Sequence, residues 1–82
     1  MGTTRNIITT GKRWRCGNVG VIEEGFDEHN QETRFILWVD GKLMGEYARV
    51  SDAKRASRHW GASGEWRGPE IYQDPRTRHV FV

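Results

Sequence analysis

The sequence predicts a small α+β domain, an antiparallel sheet of about 5–6 strands packed against one short helix. Three observations predict it. Two apolar runs flank Asp40-Gly41, a dipeptide that accepts the positive φ angles of a two-residue hairpin turn. Residues 51–60 carry the spacing and the end signals of a helix. After Pro69, two short apolar stretches surround Asp74-Pro75-Arg76-Thr77, which favours a type I turn.

In chain order, residues 1–10 show little periodicity and are expected to form a flexible arm, or a short edge strand containing Ile7 and Ile8. From Arg13 the sequence alternates, with Trp14 and Cys16 on one side and Arg13 and Arg15 on the other. Residues 19–24 read as a second short strand, or as the first one continued past Gly17-Asn18. Residues 25–33 are acidic and polar, the composition of a loop or hairpin tip. With Asp40 and Gly41 as the turn, Val39 faces Lys42, Trp38 faces Leu43, Leu37 faces Met44 and Phe35 faces Glu46. Ile36, Trp38, Leu43 and Tyr47 then share one face, and Phe35, Leu37, Val39 and Met44 the other. A strand apolar on both sides is expected at the centre of a sheet.

In the helix, Ser51 is expected to cap the first N–H groups, Asp52 to sit at the positive end, and Gly61 to end the helix in a left-handed conformation. Val50, Ala53, Ala56 and Trp60 form its inner face, and Lys54, Arg55 and Arg58 its outer one. Residues 61–69 read as a glycine-rich linker holding Trp66. Residues 71–72 and 79–82 are the closing strands, giving the order β–β–β–β–α–β–β. The second face of the sheet is covered either by the terminal hairpin, the preferred reading, or by a binding partner, with a homodimer as the natural choice.

The chain has 82 residues, enough for one domain. Its single cysteine, Cys16, excludes an intrachain disulfide and a multi-cysteine zinc site. No apolar run reaches membrane-spanning length and the polar start lacks a signal-peptide pattern, so a soluble, cytoplasmic protein without membrane contact is expected. Net charge is +2, but it is unevenly distributed. Residues 1–18 hold Arg5, Lys12, Arg13 and Arg15 and no acid, whereas 19–32 hold Glu23, Glu24, Asp27, Glu28 and Glu32 and no base. Neighbouring strands attracting each other across the sheet account for this more simply than two surface poles.

No catalytic or metal site is expected, and no cofactor. His29, His59 and His79 lack metal-ligand spacing, and Cys16 alternates with Trp14 as a small inward-facing hydrophobe. A ribonuclease would use His59 or His79 as acid or base beside Arg76 and Arg78, although no acid–base pair is localised. Nucleic-acid binding has more support, because Lys12, Arg13 and Arg15 interleave with Trp14, and Lys54, Arg55 and Arg58 precede Trp60. Cations neutralise phosphates while an exposed aromatic stacks on an unpaired base, and Trp66, in the linker, is the aromatic expected to be exposed. Protein docking is the third class. Its candidate contacts are Glu23, Glu24, Asp27 and Glu28 in the acidic segment, with Trp66, Arg76 and Arg78 near the loops.

The Val-Asp-Gly-Lys hairpin, the Ser-Asp-Ala-Lys-Arg-Ala helix, the tryptophan and the closing strands together resemble small phage-encoded proteins of the anti-CRISPR kind in size and element order. The resemblance implies a non-catalytic inhibitor in the bacterial cytoplasm that docks stoichiometrically on a protein or ribonucleoprotein complex. Such proteins share no single motif, so no functional residue is carried across. The net positive charge departs from those that imitate DNA with an acidic surface. The sequence as a whole thus predicts a protein that acts by docking, with nucleic-acid binding as the alternative.

Overall fold

A computed structural model describes residues 6–62, 64–71 and 79–81, with the backbone alone for Asn6 and for 79–81. The elements are β1 (Asn6–Cys16), β2 (Gly20–Asp27), β3 (Glu32–Val39), β4 (Lys42–Tyr47), α1 (Val50–Ser57), a 3-10 turn (Arg58–Trp60), β5 (Arg67–Ile71) and β6 (His79–Phe81). The described strands form one antiparallel sheet in the order β4-β3-β2-β1-β5, and β6 also pairs with β1. This is the α+β fold the sequence predicts. The expected turn at Asp74-Pro75, together with Arg76 and Arg78, lies outside the described residues, as does the segment 1–5.

The hairpin at Asp40-Gly41 forms as expected, both residues having positive φ, 51° and 77°. This is the primed turn geometry that matches strand twist. The pairs Val39–Lys42 and Trp38–Leu43 hold, but beyond them β4 bulges. Leu37 then lies opposite Gly45, Ile36 opposite Glu46 and Phe35 opposite Tyr47. The expected register places Glu46 beside Phe35 under the helix, where a carboxylate would be desolvated without a partner. One extra residue corrects this. Tyr47 joins the core, and Glu46 turns to the other face, where Arg34 Nε lies 3.2 Å from its Oε1.

Residues 6–10 are strand rather than arm, and that strand is interior. β1 pairs with β2 along one edge, while on the other β5 takes Lys12–Arg15 and β6 takes Asn6–Ile8. The pairing with β2 slips between Thr9 and Arg13, around Gly11 at φ 97°, so two residues of β1 are surplus there. The resulting bend gives each half of β1 its own outer partner. The closing strands therefore extend the sheet alongside β1, where the sequence suggests that they fold over its face. Pro69 is tolerated in β5 because that strand is an edge.

The acidic stretch is the largest departure from expectation. β2 runs to Asp27, and only residues 28–31 form the turn. Gly25 is a strand residue whose missing side chain leaves room for Ile7, fully buried beneath it. Asp27 is also fully buried. Its Oδ1 accepts from the backbone N–H groups of His29 (3.0 Å) and Asn30 (3.2 Å), and its Oδ2 from Asn30 Nδ2 (2.9 Å). A carboxylate here is thus the tie that makes a short turn possible.

The helix begins at Val50 with Arg49 as N-cap and no side-chain cap, so Ser51 does not have the expected capping role. Gly61 ends the helical segment in the left-handed region as predicted, at φ 88°. α1 lies over β2, β3 and β4. Ile22, Leu37, Val39, Ala53 and Ala62 are buried beneath it, with Trp14, Phe35, Met44, Tyr47, Val50, Ala56 and Trp66 packed around them. Trp14 meets Phe35 edge to face, with centroids 5.7 Å apart. The opposite face holds a smaller cluster of Ile7, Ile36 and Trp38. The last turn, Arg58–Trp60, is 3-10. Ser57, one helical turn on from Ala53, is buried within α1, and Trp60, expected inside, is 49% exposed.

Replacing Asp27 with alanine strips three donors of their acceptor. It is expected to cost about 2 kcal/mol, a fall in Tm of roughly 8–16 °C. Glu28→Ala, one residue on at an exposed position, is expected to stay within about 0.5 kcal/mol of the unmodified protein. Paired thermal melts measure both.

Candidate functional site

The groove beside α1 is assembled from helical periodicity. Ser51, Lys54, Arg55 and Arg58 recur at i, i+3, i+4 and i+7, so they line one side of the helix. Together with Ala62, Gly64 and Trp66 they enclose a hollow of about 310 Å³. Its cations are uncompensated: among the described residues Lys54, Arg55 and Arg58 have no ion-pair partner.

The far wall is built by small residues. The chain leaves the helix at Gly61, and the Ala62 N–H donates to Ser57 O at 3.1 Å. Ser57 Oγ sits 2.6 Å from Lys54 O and 3.0 Å from Ala62 O, a buried tie between helix and loop. Trp66 then lies back across the start of β2. A side-chain carbon at Gly20 would stand 2.8 Å from Trp66 Cη2 and 3.0 Å from Ala62 Cβ, so glycine there is the seat of the indole. Trp66 is held in the main core and half-buried, with part of its surface facing the groove.

The other residues singled out by sequence divide sharply. Arg13 and Arg15 lie on the opposite side of the sheet, with Nε atoms 3.8 and 3.3 Å from the Glu70 carboxylate. Lys12 is exposed on β1, away from the groove lining. The basic set Lys12, Arg13, Arg15, Lys54, Arg55 and Arg58 is therefore two groups, and only the last three residues converge. In the acidic set, Glu23 and Asp27 are buried. Glu23 lies across from Arg13 in the β1–β2 ladder. These two carboxylates, expected at a docking surface, are built into the fold. Glu24 is half-buried and accepts from Thr10 Oγ1 at 2.6 Å, which leaves Glu28 as the exposed member. His29 and His59 are exposed in separate places, and no group of three His, Cys, Asp or Glu side chains among the described residues could hold a metal. Among the described residues, too, no helix is long and apolar enough to cross a membrane. Ser51, Ala62 and Gly64 had no functional reading in the sequence. The spacing of Ser51 with the three cations was the available signal.

Fold and site together define a small α+β domain bearing a cationic groove with a tryptophan wall. Compared with known proteins, the chain matches no protein-family model, no curated protein and no solved structure.

Gly20→Ala tests how the groove is built. The added methyl group is expected to push Trp66 from its seat, costing about 1–3 kcal/mol. Tryptophan emission would shift to the red in the folded variant, and an unshifted spectrum with unchanged stability would contradict the packing described.

Proposed function

We propose that the protein acts by binding, without catalysis, and that its groove takes the phosphate backbone of a nucleic acid. One observation carries this: three cations without ion-pair partners among the described residues converge on a hollow walled by an aromatic side chain. Phosphate oxygens satisfy guanidinium and ammonium donors together, and releasing condensed counterions drives the association. Small-molecule anions would also be attracted, but three cations spaced along one helix face suit a chain that carries several phosphates.

Inhibitory docking of the anti-CRISPR kind, on a protein or ribonucleoprotein partner, is the lesser reading. Of its candidate contacts, Glu23 and Asp27 are buried, Glu28 is exposed, Trp66 is half-buried, and Arg76 and Arg78 lie outside the described residues. A ribonuclease is less favoured still, since His59 has no hydrogen-bonding or ionic partner among the described residues.

Affinity for a short single strand, measured across salt, is expected to fall with a log–log slope of about −2 if three cations meet phosphates. Arg55→Gln with Arg58→Gln should make that slope shallower by roughly 1–1.5 and weaken binding at every salt concentration. Arg15→Gln, whose guanidinium already faces Glu70, should change it little. Absence of binding at low salt, or a slope untouched by the double variant, would overturn the proposal.

A further inference from the structure

We infer that the groove selects single-stranded nucleic acid, with one unpaired base stacked against Trp66 while adjoining phosphates meet Lys54, Arg55 and Arg58. The inference rests on the nucleic-acid reading above and deepens it. Size is the first support. About 310 Å³ lies at the bottom of the roughly 300–1,000 Å³ range of small-ligand sites, room for a single nucleotide.

The placement of Trp66 is the second. A wall tryptophan in a hollow can meet only a base whose face is free, and in a duplex those faces are covered by neighbouring base pairs. The third support is rigidity. Gly20 and Ala62 hold one edge of the indole, so little side-chain freedom is lost when a base lands on it. Trp60 makes the contrast. At 49% exposed it is the more accessible indole, but it is not part of the groove lining. A base on Trp60 would not sit in the hollow that the cations line.

The test compares three fluorescently labelled probes of about ten nucleotides, at low salt and with the unmodified protein: a thymidine strand, an abasic strand of equal charge, and a duplex. The thymidine strand is expected to bind about five- to a hundredfold more tightly than the abasic one, the range that base–aromatic stacking supplies, and more tightly than the duplex. Trp66→Leu should abolish the preference over the abasic strand, Trp66→Phe should keep most of it, and Trp60→Leu should leave it intact. Circular dichroism checks that each variant is folded.

Equal affinity for thymidine and abasic strands, tighter binding of the duplex, or a preference that disappears with Trp60 rather than Trp66 would overturn the inference. In those cases salt-dependent binding through Arg55 and Arg58 would still stand. Failure of all three probes to bind at low salt would remove the nucleic-acid reading itself. The probe comparison uses the unmodified chain, so it decides the matter even if the Trp66→Leu variant does not fold.

Discussion

Among the described residues, one eight-residue helix lies against the sheet, and the rest of the packing follows from how closely it must approach. Ala53 and Ala56 bring its backbone near β2, β3 and β4. A helix this short cannot cover the start of β2 as well, and there the chain uses Trp66, folded back over Gly20 and Ala62. The indole is thus a structural plug whose remaining surface forms a wall. The inward side of α1 is filled by small apolar groups, so its cations can occupy only the outward side, next to that wall. Core and groove are two consequences of the same close approach.

The sequence made the sheet legible wherever a single residue type has a single backbone use. Asp40-Gly41 has to turn, Gly61 has to stop a helix, and a strand apolar on both sides has to be central. Bulges were not legible, because alternation alone cannot count an extra residue. The surplus at Met44 becomes necessary only once Glu46 would otherwise lie beside Phe35 beneath the helix. The acidic segment misled for a related reason. Five carboxylates in fourteen residues look like a solvated loop, yet Glu23 and Asp27 share one side of a strand and answer to particular donors. Composition recorded their charge, and only cross-strand pairing gave their orientation.

The tryptophans show the same limit. Trp60 follows the α-helical phase of Ala53 and Ala56, so it reads as core, and Trp66 sits among glycines, so it reads as exposed. The α-helix ends at buried Ser57, and Trp60, in the 3-10 turn beyond it, is left 49% exposed. Gly20, far away in sequence, draws Trp66 in. Neither event has a local signature. The candidate site was half legible: the helical spacing of Lys54, Arg55 and Arg58 could be read directly, whereas their aromatic neighbour required the fold.

Charge is managed differently on the two sides of the sheet, and the difference bears on function. Away from the helix, Arg13 and Arg15 meet Glu70, and Arg34 meets Glu46. On α1, Lys54 and Arg58 stand at i, i+4 and Arg55 and Arg58 at i, i+3, spacings at which like charges repel and weaken a helix. Lys54 and Arg55, in the last turn of α1, and Arg58, its C-cap, recover some of this from the helix dipole. A carboxylate at position 51 or 55 would have relieved the repulsion at no cost to the core, since both side chains are exposed. The helix dipole offsets part of that repulsion, and an anion bound as proposed would discharge the rest and so favour the folded chain over the unfolded one.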